Sequence, residues 1–196
     1  MGGTFDPPHM GHLMIAESVR TALELEEIRF IPTGKVAYKD NTLSASGQDR
    51  LEMVRLAIEG NPCFRIDATE VERQGTTYTF ETMELLAKAE PDAAFTFIVG
   101  ADSLDYMELW RYPERIFALC RVAAVMRPGF SKEQMEEKRQ ELIRRFGGQI
   151  VLIEAPQISV SSTEIRRRLQ EGDSVRYLIP ACVESYIKKH GLYRKR

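Results

Sequence analysis

Two histidines three positions apart, His9 and His12, stand inside the stretch GGTFDPPHMGH, which runs straight into the apolar LMIAESV. Glycines at 2, 3 and 11 let a ligand approach the backbone with no Cβ in the way. A helix starting near Gly11 points its free N–H groups and the positive end of its dipole back at the glycine turn. Two imidazoles there would reinforce an anion site, and phosphate is the ligand it suits. Two other readings stay open on these residues alone. The histidines could ligate a metal, although zinc needs three or four protein ligands and the further histidine is His190. The glycines and prolines could equally make a plain turn. A second helix start lies far along the chain in ISVSSTEIRRRLQEG, residues 158–172. Ser161 and Glu164 have the spacing of a capping box, Ile165 and Leu169 share an apolar face, and Gly172 reads as a stop. Arg166 falls about one turn after Ser162 and Thr163, so its guanidinium can share the region of their hydroxyls and amides. A well-capped surface helix with solvated arginines would look the same.

These side chains need a scaffold. At 196 residues the chain fits one domain, able to bury about 70% of the surface of its unfolded form. Short β-prone runs at 28–32, 64–67, 95–100, 121–126 and 149–154 alternate with segments long enough for crossover helices. That pattern predicts an α/β fold with a doubly wound, Rossmann-like parallel sheet. GQDRLEMVRLAIEG and YTFETMELLAKAEP read as amphipathic helices, the first closed by Gly60 and the second ending before Pro91. SKEQMEEKRQELIRRFGG reads as a solvated helix with Leu142, Ile143 and Phe146 turned inward. Residues 32–48, with Lys35 and Lys39, and the turn RPGF at 127–130 read as loops, the part of an α/β protein where ligands bind. A doubly wound domain expects a buried strand before a glycine turn, yet the turn follows Met1 directly. Five buried strand residues at roughly 2 kcal/mol each are comparable with a whole domain's net stability, so we expect an apolar β segment upstream of Met1.

Charge and cysteines narrow the function. With 27 basic and 29 acidic side chains, the net charge of -2 gives no overall pull toward nucleic acid or anionic lipid. No apolar run approaches the roughly 18 residues of a membrane span. Cys63, Cys120 and Cys182 are odd in number and lack a CxxC pair, which argues against a disulfide framework or zinc knuckle and fits a reducing cytoplasm. Nothing in the sequence fixes an oligomeric state; a homo-oligomer is compatible with it.

GGTFDPPHMGH resembles the nucleotidyltransferase signature GGTFDPxHxGH, matching every fixed position, and SSTEIR resembles the SSTxIR motif of the same superfamily. Within it the chain is similar, over nearly its whole length, to the bacterial nicotinate-nucleotide adenylyltransferases, which join nicotinate mononucleotide to ATP and give deamido-NAD and pyrophosphate. The resemblance implies that His9, His12 and Arg166 act on the phosphates. It places ATP against Gly2, Gly3, Thr4, Phe5, Gly11, Ser161, Ser162 and Thr163. FIVGADS looks like the GxD segment, in which Gly100 and Asp102 would meet the ribose. GTTYTFET looks like the segment whose amides near Tyr78 and Thr79 receive the pyridine carboxylate, and Trp110 would stack on the pyridine ring, with core packing the alternative. Lys39 and Arg127 are further mononucleotide-binding candidates. One departure stands out: where the family commonly has PPHK, this chain reads VAYK at 36–39, without the loop histidine.

The implied nucleophile is the mononucleotide's 5'-phosphate, ionised near neutrality because the second pKa of a phosphate monoester is about 6, so no general base is needed. Holding two anions in line and neutralising developing charge would be the protein's tasks, with Mg2+ riding on ATP rather than in a protein cage. A helix dipole disfavours an imidazolium by about 0.3–1 kcal/mol, whereas a charged bond to phosphate contributes about 1.5–3, so a cationic His12 is expected once phosphate is bound. Alternatives are an adenylyltransferase for nicotinamide mononucleotide or phosphopantetheine, or a nucleotide-binding protein without turnover.

Overall fold

The computed structural model describes residues 1–34, 45–126, 131–156 and 159–194. Its first half runs β1 (Gly2–Gly3), α1 (Met10–Ala22), β2 (Ile28–Pro32), α2 (Gly47–Ile58), β3 (Phe64–Ile66), α3 (Thr69–Glu72) and α4 (Thr79–Ala89). The second half runs β4 (Phe95–Gly100), α5 (Ala101–Asp105), a 3-10 turn at Met107–Leu109, α6 (Pro113–Leu119), β5 (Cys120–Val125), α7 (Lys132–Phe146), β6 (Ile150–Ile153), α8 (Ser162–Glu171) and α9 (Ala181–His190).

The expected parallel, doubly wound pattern is present, divided into two hydrogen-bonded ladders ordered β1-β2-β3 and β4-β5-β6. Every strand pair is parallel, with Gly2 opposite Ile31, Ile28 opposite Phe64, Phe95 opposite Cys120 and Val122 opposite Ile150. β1 lies beside β4, and a Cβ on Gly2 would sit 3.7 Å from the Phe97 ring. The short β1 bonds to β2, where the Met1 and Gly3 carbonyls accept from the Ile31 and Thr33 amides.

Strand β5 shows why this sheet is covered on both faces. Val122 and Ala124 enter one core with Leu104, Ile116 and Leu142, while Ala123 and Val125 enter another with Phe5, Val19 and Phe30. A period of two with apolar residues on both sides is the mark of a buried parallel strand. A third cluster, including Met53, Ile165, Val183 and Ile187, packs α8 and α9 against α2. Helix α7 turns Leu142 fully inward with Ile143 and Phe146 packed beside it, as expected, and adds buried Met135. Among the described residues no helix is long and apolar enough to cross a membrane.

Candidate active site at the glycine turn

After β1 the chain leaves the sheet at Phe5, whose φ of 49° is left-handed, and passes through a cis Asp6–Pro7 bond into α1. The buried Phe5 ring meets the His12 ring edge-on at 5.0 Å between centroids. A Cβ on Gly3 would come within 2.9 Å of the Phe5 ring. A Cβ on Gly2 would only touch Phe97 at ordinary contact distance, whereas the bare backbone of Gly3 makes room for the Phe5 ring. Gly11 behaves likewise: a Cβ there would lie 3.1 Å from both His9 Nδ1 and Val160 Cγ1, so the bare backbone lets the start of α1 dock on the segment before α8.

His9 is the N-cap of α1, and the His9 and His12 rings stack at 3.6 Å between centroids. The His9 backbone N–H donates to His12 Nδ1 at 3.1 Å. A backbone N–H can only donate, so His12 Nδ1 is the acceptor of this bond, which ties the ring to the start of α1.

The second segment reaches the turn from the far end of the chain. Ser161 caps α8 by accepting from the Glu164 amide at 3.2 Å. Glu164 does not close the expected capping box; its carboxylate takes Arg167 and Arg168 instead, which hold it down at about 2. Ser162 Oγ donates to the Pro7 carbonyl at 2.8 Å, across 155 residues. Arg166 donates from Nη1 to the Asp6 carbonyl at 2.7 Å and from Nη2 to Thr163 Oγ1 at 3.3 Å. The Met10 amide adds a 2.9 Å bond to the Leu178 carbonyl. His9, His12, Ser162, Thr163 and Arg166 are therefore gathered around one turn, flanked by the N-termini of α1 and α8. Positive groups and N–H donors converging on one place form a site for a polyanion.

Three residues that sequence reasoning missed hold this turn. Asp6, 1% exposed, accepts at Oδ1 from the Ala45 amide at 3.2 Å and the Tyr193 hydroxyl at 2.6 Å. Arg50, 2% exposed, donates to the carbonyls of Thr4 and Thr33 at 2.8 and 2.7 Å, and its burial lowers its pKa. Asp6 stood at a fixed position of the quoted signature; Arg50 and Tyr193 carried no local signal.

The remaining candidates lie along the neighbouring strand ends. Gly100 caps α5 at the carboxyl end of β4, with the half-buried Asp102 in its first turn. Tyr78 caps α4, which begins at Thr79. The approach to α4 is pinned by buried Glu70, which accepts from the Thr77 and Thr82 hydroxyls at 3.1 and 2.8 Å. Trp110 is half-buried against the core, its ring edge-on to Phe97 at 6.1 Å, which satisfies the packing alternative for part of its surface. Its neighbour Arg111, unremarked in the sequence, places its guanidinium 4.7 Å from the Tyr78 ring centroid and so joins the two segments. Lys35, Lys39, the VAYK stretch and Arg127 lie outside the described residues. Among the described residues no group of three or more His, Cys, Asp or Glu side chains is placed to hold a metal ion.

Comparison with known proteins follows the same geometry. Residues 1–168 match the family model described as Cytidylyltransferase-like. A Dehalococcoides mccartyi protein named "Probable nicotinate-nucleotide adenylyltransferase" is 41% identical over 197 residues, covering 100% of this chain and 96% of its own. A Lactiplantibacillus plantarum protein of the same name is 37% identical over 195 residues, covering 100% of this chain and 87% of its own. The solved Plasmodium falciparum nicotinic acid mononucleotide adenylyltransferase complexed with NaAD superposes with a TM-score of 0.77 at 22% identity, over 98% of this chain and 94% of that one, and establishes the likeness of fold.

Proposed function

Since the chain belongs to the cytidylyltransferase-like family, and within it to the nicotinate-nucleotide adenylyltransferases, we propose that it transfers the adenylyl group of ATP to nicotinate mononucleotide, giving deamido-NAD and pyrophosphate in NAD biosynthesis. The observation that carries this reading is the joining of the two phosphate-directed segments, with Arg166 donating to the Asp6 carbonyl and Ser162 to that of Pro7. We read residues 1–196 as one nucleotidyltransferase domain, cytoplasmic in keeping with the free thiols of Cys63, Cys120 and Cys182.

An oxygen of the mononucleotide's 5'-phosphate attacks the α-phosphorus of ATP; the new P–O bond forms as the bond to the α,β-bridging oxygen breaks, and pyrophosphate carries away the electron pair. The nucleophile is already an anion, so no side chain takes a proton from it. What this chain supplies is position and donors: the His12 imidazole, the Arg166 guanidinium, the Ser162 and Thr163 region, and the free amides of α1 and α8. The gathered donors suit a polyphosphate rather than a bare cation, and Mg2+ enters as part of the ATP substrate, held by phosphate and water. Gly100 and Asp102 serve the ribose, an acceptor carboxylate suiting vicinal hydroxyls. Tyr78, Thr79 and Trp110 take the pyridine end.

The test is a pyrophosphate-release assay with ATP, Mg2+ and either the acid or the amide mononucleotide. Release with the acid form, faster than with the amide and abolished by a chelator until Mg2+ is restored, is the expected result. Release with phosphopantetheine alone, or nucleotide binding without any release, would overturn the assignment.

A further inference from the structure

The family match ends at residue 168, yet the side chain of Tyr193 is buried against the turn at the opposite end of the chain. Its hydroxyl donates to Asp6 Oδ1 at 2.6 Å across 187 residues. We propose that Tyr193 is a positioning residue for adenylyl transfer, acting through Asp6 to fix the Arg166 guanidinium against the turn that holds His9 and His12. The inference rests on the functional reading above.

Asp6 is contacted at two places. Its carboxylate is held at Oδ1 by Tyr193 and by the Ala45 amide, and its main-chain carbonyl receives Arg166 Nη1 at 2.7 Å. The same Nη1 lies 3.9 Å from Oδ2, beyond hydrogen-bond length. The guanidinium thus has two acceptors on one residue, and it takes the neutral carbonyl while the carboxylate is engaged elsewhere. A charge-assisted bond from a tyrosine hydroxyl is strong enough to set that choice. Burial and the adjacent Asp6 carboxylate both push the Tyr193 pKa upward, so the hydroxyl keeps the proton it donates. Without the hydroxyl, a buried carboxylate short of one donor would draw Arg166 from the carbonyl onto itself, turning the guanidinium fork away from a polyphosphate. No sheet ladder holds this peptide in place, because β1 ends at Gly3. The ring of Tyr193 packs with Ile165 and Ile187, contacts that phenylalanine would keep.

The experiment is a double-mutant cycle in the pyrophosphate assay with the full chain. Tyr193→Phe is expected to lower kcat on the order of tenfold, with the apparent KM for ATP within about twofold of the parent. In an Arg166→Ala background the same substitution should change kcat by less than about twofold, because the group it positions is gone. Ile187→Ala, in the same cluster, should melt earlier yet keep the parental kcat, which separates positioning from loosened packing. Asp6→Ala removes the competing carboxylate and keeps the main-chain carbonyl that Arg166 uses, so adding Tyr193→Phe in the Asp6→Ala background should change kcat by less than about twofold. Parental kcat in Tyr193→Phe, undiminished losses without Arg166 or the Asp6 carboxylate, or failure of Tyr193→Phe to fold would overturn the proposal. A parent chain that releases no pyrophosphate sinks the functional reading itself, a different outcome from an active parent matched by an equally active Tyr193→Phe.

Discussion

The His12 ring is tied to the start of α1, where Nδ1 accepts the His9 amide at 3.1 Å, and in the proposed reaction the same ring acts on the phosphates. A donor that meets charge as it grows during transfer would contribute mainly in the transition state. His12→Ala is therefore expected to lower kcat by about 10²–10³-fold while raising the apparent KM for either substrate far less, a split that steady-state kinetics reads directly. Equal turnover in variant and parent would remove His12 from the reaction. The HxGH spacing was legible as a helix start beside paired imidazoles, but the bond from the His9 amide to His12 Nδ1 was not. It depends on an amide whose direction exists only once His9 adopts the extended N-cap conformation.

At the level of elements, the loops that carry the candidates are pinned by contacts that allow almost no added volume. Gly34, just after β2, has the Glu70 carbonyl oxygen only 2.0 Å from where a Cβ would stand. Glu70 in turn holds Thr77 and Thr82 at the entry to α4, so this close approach joins the Arg29–Glu90 pair and the packing of Ile31 with Phe80 and Met83 in setting β2 against α4. Gly34→Ala must push backbone against backbone and is expected to destabilise the protein by about 1–3 kcal/mol in urea titration, by analogy with an overpacked core. It should also raise the KM for the mononucleotide more than that for ATP, because the displaced segment leads to Tyr78 and Thr79. A variant with parental stability would show that the approach is readily relieved. The elements themselves were readable: each predicted strand appears within a residue or so of its expected ends, and Gly60 and Gly172 close the helices they were expected to close. Glu164 was misread because capping spacing says nothing of competition, and two arginines on the same helix outcompete the cap's amide.

Across the whole molecule, the C-terminal helix and its tail are tied to the N-terminal half by two tyrosines. Tyr186 donates to Asp49 on α2 at 3.0 Å, and Tyr193 to Asp6 at 2.6 Å. Burial and the accepting carboxylates raise both phenols above the ordinary 10, Tyr186 to about 12 and Tyr193 further. A phenol whose folded pKa is raised contributes stability that is complete below its unfolded pKa and is lost as pH rises toward the folded value. Thermal melts are therefore expected to fall from about pH 10 upward, and Tyr186→Phe should flatten that decline between about pH 10 and 12. An unchanged slope would show that the alkaline transition has another source. The sequence by itself determined the α/β pattern and the two helix starts, and through its likeness to a known signature pointed to phosphate chemistry, because periodicity, caps and motif spacing are carried by residues close together along the chain. Only the tertiary structure decided that Arg50, Glu70 and Tyr193 would hold the turns in place and that Gly3 would make room for the Phe5 ring. A buried hydrogen bond or a filled space is a property of two surfaces that meet after folding, and neither partner announces the other beforehand.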